Sequence, residues 1–150
     1  MARNQPEIPS KLILLEIKMA NQKTITPIRI QAYERMVLFL ERINPNNLIL
    51  RVNRKDYNAF QLQSTLIKTI REEYEHNMSQ QLYISTQAWE IVKRTKEDII
   101  KLINTAAANL NDDADANELA KKIIELSLDN NKPIVVPALE FIKHEVNRIF

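Results

Sequence analysis

Glu73-Tyr74-Glu75-His76 spells E-x-x-H. On a helix that spacing puts a carboxylate and an imidazole on one side, as half of a di-metal centre requires. The full centre needs a second such pair and two further glutamates. The chain has two histidines, and the residue three before His144 is Phe141. What remains of metal chemistry is a single mixed site, with Glu73 and His76 joined by a carboxylate of a neighbouring helix such as Glu34 or Glu41. Three-ligand sites of that kind are uncommon, so no metal and no other cofactor is expected.

A different chemistry fits the same residues better. At about 100° per residue, Ile70, Tyr74, Asn77 and Gln81 fall on one helix face, with Glu73 and His76 on its flank. Asn77 and Gln81 then lie on the side expected to be buried, where an unsatisfied amide is costly. Lys96 falls between Trp89, Val92 and Ile103 on the apolar face of the next helix. Glu34 and Glu41, seven residues apart, share an edge of an earlier one. The pattern predicts a polar layer between helices that fixes their register, with Lys96 paired to Glu73 or Glu34. The alternative use of this set is a pocket for a small anion or peptide.

Other constellations carry less. No serine or threonine has a credible histidine and acid relay, so no catalytic residue is assigned. Arg51, Arg54 and Lys55 form a small basic cluster near Tyr57 and Phe60. That is raw material for a nucleic-acid contact. A net charge of +2 ranks the exposed-loop reading above it. Trp89 reads as a core anchor.

The elements that must position these residues are helices. Glycine is absent, which removes Rossmann and P-loop phosphate cradles and argues against a hairpin-rich fold. Cysteine is absent too, so disulfides, thiol nucleophiles and thiolate zinc sites are impossible. The longest apolar run, Met36 to Leu40, is far too short to span a membrane. Charge is graded along the chain. Residues 1–60 carry ten Lys and Arg against five Asp and Glu, and residues 111–150 five against eight.

Hydrophobic spacing predicts a first helix over about Pro6–Gln22, carrying Leu12, Leu15 and Met19. A second opens at Pro27, which suits a first helical turn, and runs to about Ile43. The residue before Pro45 is pushed out of helical geometry, and Leu48–Val52 fits no clear type. A long third helix is expected over Asp56–Tyr83, reaching roughly 40 Å. Ser85 or Thr86 caps a fourth that runs to about Leu110. Asp115 and Glu118 form a capping box for a fifth ending near Asp129. A last helix follows Pro137. The expectation is an all-α bundle of five to six helices in one domain. Residues 25–110 form its core, helices two to four lie antiparallel, and residues 111–150 are the C-terminal helices. The wide apolar arc of helix two, from Ile30 to Ile43, places it centrally or at a subunit contact.

The stretch Ile28–Ile43, then Arg71-x-Glu73-Tyr74-Glu75-His76-Asn77 with Gln80-Gln81-Leu82-Tyr83, and finally Ala88-Trp89-Glu90, resembles an uncharacterised Bacteroidota family. The resemblance covers residues 20–107 closely and the acidic carboxyl end loosely. It implies an amino-terminal membrane helix before the domain and assigns no activity. Residues 1–24 contain no such span: either they read as a juxtamembrane helix of a longer form, or this member lacks the membrane segment. The function expected is a non-catalytic interaction or scaffold domain, cytoplasmic and adjacent to the inner membrane. Its expected partner is a protein or a second copy, a dimer being favoured, with nucleic acid ranked below both. The alternative is a ligand- or metal-binding protein or enzyme using the polar set.

Overall fold

A computed structural model describes residues 10–129 and 131–150. Among these, six α-helices follow one another: α1 (Ser10–Ile43), α2 (Pro45–Val52), α3 (Ala59–Asn77), α4 (Thr86–Ala108), α5 (Ala116–Ser127) and α6 (Val136–Ile149). The all-α expectation holds. The extended backbone among the described residues is a two-residue antiparallel pair, β1 (Leu128–Asp129) with β2 (Lys132–Pro133), where spacing predicted helix as far as Asp129. Nearby Asn131 takes the left-handed conformation, φ 64°, which asparagine tolerates better than most residues.

Two expected helices are one. The start placed at Pro6 lies outside the described residues, but from Ser10 onward α1 runs through Pro27 without a break. Proline inside a helix removes one hydrogen bond and crowds the carbonyl four residues earlier, costing about 3 kcal/mol. That carbonyl belongs to Lys23, in an exposed stretch of the helix, where water can replace the missing donor. The cost is tolerated in solvent, so the proline does not act as a start signal.

The carboxyl-terminal half of α1 is the centre of the bundle. Ala32, Tyr33, Met36, Phe39, Leu40 and Ile43 are all buried. Most of the arc that sequence spacing marked as wide is used inside the molecule, against α2, α3, α4 and α6, with Ile30 and Val37 half-buried at its edge. Leu48–Val52, of no clear type in the sequence, belongs to α2, a short helix with Pro45 in its first turn. Contacts fix the directions of the longer helices. Arg35 meets Asn77 and Arg42 meets Glu73, so α3 runs antiparallel to α1. Gln63 meets Asn104 while Tyr74 stacks on Trp89, so α4 runs antiparallel to α3.

α3 is shorter than its apolar stripe suggested, about 28 Å for its nineteen residues. It gives way to a 3-10 turn over Met78–Leu82. Asn77 brings this about: its side-chain amide donates back to the Glu73 carbonyl at 2.8 Å, competing with the helical pattern at the terminus. Tightening from 3.6 to 3.0 residues per turn then rotates the next residues out of the stripe. Gln81, expected on the buried face, is exposed.

The starts of α3 and α5 lie side by side. Asn58 and Asp115 pair as an isolated antiparallel bridge. Ala59 N donates to the Ala114 carbonyl at 3.1 Å, and Ala116 N to the Tyr57 carbonyl at 3.3 Å. Each bridging residue is also an N-cap. The Asn58 side chain accepts from Gln61 N at 2.8 Å, and the Gln61 side chain accepts from Asn58 N at 2.9 Å. The Asp115 side chain accepts from Glu118 N at 2.8 Å. The two segments share one local pattern, cap-Ala-x-Gln/Glu-Leu, in Asn58–Leu62 and Asp115–Leu119. Sequence reading marked Asp115 and Glu118 as a capping box, of which the structure shows the Asp115 half, and missed the complete box of Asn58 and Gln61. Replacing Asn58 or Asp115 by Ala should cost about 1 kcal/mol each. Chemical denaturation checks this, and an unchanged midpoint for either variant would remove that cap from the account.

Candidate functional site

α1, α2 and α3 bring three guanidinium groups to Glu73 and Asn77. Arg42 donates to Glu73 Oε1 through Nε, at 2.8 Å, and through a terminal nitrogen, and Arg51 donates to the same oxygen at 3.2 Å. Arg51 also bonds the Arg42 carbonyl at 2.8 Å. Arg35, two turns before Arg42, donates to Asn77 Oδ1 at 3.2 Å. Arg35, Arg42, Glu73 and Asn77, together with Leu38, Phe39 and His76, line a shallow cavity of about 200 Å³. Glu73 Oε2 is buried without a hydrogen-bond partner among the described residues. Its charge is balanced through the other oxygen, and the surplus positive charge of the cluster serves the same end.

This geometry corrects the expected polar layer. Lys96 is buried, at 8% exposure, as its place on the apolar face predicted. Its partner is neither Glu73 nor Glu34. The ammonium lies 2.8 Å from Glu97 Oε1 and 3.8 Å above the centre of the Tyr74 ring. Tyr74 stacks on Trp89 at 5.2 Å and tilts against Phe39 at 6.2 Å. Lys96 thus buries its stem and satisfies its charge at the surface edge of an aromatic stack, without crossing to another acid in the core. Glu34 and Glu41 are exposed, as are Gln81 and His76, while Glu73 and Asn77 are half-buried. The structure brings Glu73, His76 and Asn77 to one groove and leaves Glu34, Glu41, Gln81 and Lys96 elsewhere. Among the described residues no group of three or more His, Cys, Asp or Glu side chains is arranged to hold a metal.

The stack has electrostatic consequences. Burial, then the charges of Glu97 and Glu90, push the Tyr74 phenol above its usual range. The hydrogen bond from Lys96 holds the Glu97 carboxyl below the usual carboxylate range, helped by the charges of Lys96, Arg71 and Lys93 against a smaller opposing effect of burial. A lowered carboxyl contributes stability above its ordinary range and loses it as pH falls through the lowered value. A raised phenol contributes below its ordinary range and loses it as pH rises.

One buried carboxylate escaped the sequence reading. Glu145 on α6, 3% exposed, accepts from Tyr33 Oη at 2.9 Å and from Ser85 Oγ at 2.6 Å. The Tyr33 hydroxyl accepts from Ser85 N at 3.0 Å, and Ser85 Oγ caps α4 by accepting from Ala88 N at 3.0 Å. Arg148 stands 3.7 Å from the carboxylate. The cluster ties α1, α4 and α6 together. Its only sequence signal was an acid, Glu145, between Ile142 and Val146 on an apolar helix face. The charge is fully engaged by structural partners, so the cluster is a lock between helices.

The basic cluster is partly spent. Arg51 serves Glu73, the Arg54 guanidinium lies 5.8 Å from the Tyr57 ring centre, and Lys55 is exposed. Phe60 nearby is 71% exposed.

The largest departure from a finished surface lies on the amino-terminal half of α1. Leu12, Ile13, Leu14, Leu15, Ile17, Met19, Ile25 and Ile28 are all between 38% and 65% exposed. Leu12, Leu15 and Met19 point to one side of this arm, and Leu14, Ile17 and Ile25 to the other. Between that second side and Ile149 and Phe150 of the carboxyl end runs a cleft of about 400 Å³. Among the described residues no helix is long and apolar enough to cross a membrane.

Two substitutions test these assignments. Lys96→Met should leave the melting temperature within about 2–4 °C of the parent, because a buried cation is exchanged for an apolar side chain of similar length. It should also return the Glu97 carboxyl to the ordinary range in a ¹³C NMR titration; an unmoved Glu97 would break the pairing. Tyr33→Phe removes one donor to a buried carboxylate and should destabilise the fold by about 1.5–3 kcal/mol in urea denaturation.

No curated protein matches the chain, and no solved structure does. A family model spanning residues 5–149 does match, nearly the whole length. The chain therefore belongs to that family, described as a family of unknown function, DUF7935.

Proposed function

We propose that the protein is a non-catalytic helical interaction domain that pairs with a second copy of itself through the α1 arm. The observation that carries this reading is the exposed apolar arm. Contiguous apolar surface on this scale is rare in monomers and marks contact sites.

Magnitudes favour a symmetric partner. Complete burial of a Leu, Ile or Met side chain contributes roughly 1.5–3 kcal/mol, so covering the remaining half of each gives about 1 kcal/mol. Eight such residues on one arm give about 8 kcal/mol, and a pair of arms about twice that. Association costs an estimated 4–15 kcal/mol, on the order of what one arm supplies. One covered arm is marginal against that range, and two covered arms in a two-fold pair exceed it. The basis for self-association is thus the arm rather than the arc of helix two, most of which is consumed by the core.

The same reading keeps a cytoplasmic position beside a membrane in a longer form. Lys11, Lys18 and Lys23 on the arm, against the single acid Glu16, support that setting because anionic lipid surfaces attract cations.

Size-exclusion chromatography with light scattering tests the pairing. The parent chain should elute with the mass of a dimer at micromolar concentration. Leu14→Asp with Ile17→Asp should give a monomer of unchanged helicity, since both positions are exposed, with a melting temperature that no longer depends on concentration. A parent chain that is monomeric throughout, or a double variant that stays dimeric, would overturn the reading.

A further inference from the structure

A second cleft lies away from the arm, where the carboxyl end of α5, the β1–β2 pair and the start of α6 close over α4. Its volume is about 580 Å³, within the range of roughly 300–1,000 Å³ of small-molecule sites. Apolar surface from Ile91, Leu126, Ile134, Pro137 and Ala138 forms much of its wall. Ala138 is fully buried, and a methyl group there leaves room that a larger residue would occupy.

Polar groups sit in the same wall. Thr95 and Ser127 both line it and are 7% and 3% exposed. Each hydroxyl donates its proton to a carbonyl of its own helix, Thr95 to Ile91 at 2.7 Å and Ser127 to Ile124 at 2.9 Å. Their oxygens keep lone pairs. Among the described residues the charges along the cleft are Arg94, Asp98 and Lys132, two positive and one negative. Arg94 and Asp98, one helical turn apart, form no ion pair with each other or with another described residue. An adjacent pair left unjoined keeps the guanidinium edge open to an incoming oxyanion.

We propose that this cleft binds a small amphiphilic monocarboxylate, its hydrocarbon body against the apolar wall and its carboxylate on Arg94. The described lining carries one net positive charge, which favours a single negative charge on the occupant. The site is independent of the arm, and its existence does not rest on self-association.

Octanoate is the probe, with octylamine as the opposite-charge control. Binding is followed by ¹⁵N NMR at constant ionic strength. Octanoate should give saturable shifts at residues 91–98 and 134–138, and bind at least about tenfold more tightly than octylamine. Arg94→Glu, at an exposed position, should invert that preference with the fold unchanged. Leu126→Trp, at the rim, should fill the cleft and abolish both. Absence of saturation by octanoate, equal binding of the two probes, indifference to Arg94→Glu or persistence in Leu126→Trp would each overturn the proposal.

Discussion

The length of one unbroken helix governs this molecule. α1 has 34 residues, about 51 Å, whereas α3, α4 and α6 have 19, 23 and 14, about 28, 35 and 21 Å. A bundle can bury only the part of a rod that its neighbours are long enough to accompany. The buried stripe from Ala32 to Ile43 uses the carboxyl-terminal half completely, so the amino-terminal half projects with its apolar residues uncovered. Had α1 broken at Pro27, as its sequence suggested, the first segment could have folded back and closed over its own leucines. The unbroken helix is what converts a hydrophobic segment into an arm.

Polar groups follow a similar economy. The charges drawn toward the interior find partners within a turn or on an adjoining helix: Lys96 takes Glu97 and the Tyr74 ring, Glu73 takes Arg42 and Arg51, and Glu145 takes Tyr33 and Ser85. A cross-bundle pair in the core would have required two desolvated charges, which their attraction seldom repays. The long Lys and Arg stems let the charged ends reach the rim, and only Glu145, too short to reach water, needed a prepared socket.

Periodicity and capping made most of the fold legible. The absence of glycine and the stripes on α3, α4 and α6 gave the class. Ser85 and Asp115 gave two helix starts, and Lys96 was placed on a buried face. The hidden part depended on what lies across from a residue. Pro27 could be tolerated only because Lys23 faces solvent, and Asn77 ended α3 by bonding backwards, which moved Gln81 off the core. Ser85 looked like an ordinary cap, since nothing local shows that its hydroxyl also donates to Glu145, far along the chain. The polar set was read as one site because helix wheels place residues by angle alone. What separates Glu73 from Lys96 is the neighbour each meets: Glu73 turns to Arg42 and Arg51 on α1 and α2, and Lys96 to Tyr74 and its own Glu97.

The arm raises a geometric question that self-pairing has to answer. A helix with leucines on opposite sides cannot be covered by one neighbour, because a single contact face spans little more than about a third of the circumference. Two arms laid side by side would cover Leu14, Ile17 and Ile25 and leave Leu12, Leu15 and Met19 in water, or the reverse. The cleft between the arm and Phe150 supplies the missing wall. The Phe150 ring is held there edge-on to Tyr33, at 6.1 Å between ring centres, and the Arg29 guanidinium lies 5.4 Å from its centre. In the proposed pair, a partner arm laid in this cleft would touch the facing arm on one side and the end of the bundle on the other. Two-fold symmetry then gives each arm both contacts at once, which two isolated helices of this sequence could not achieve.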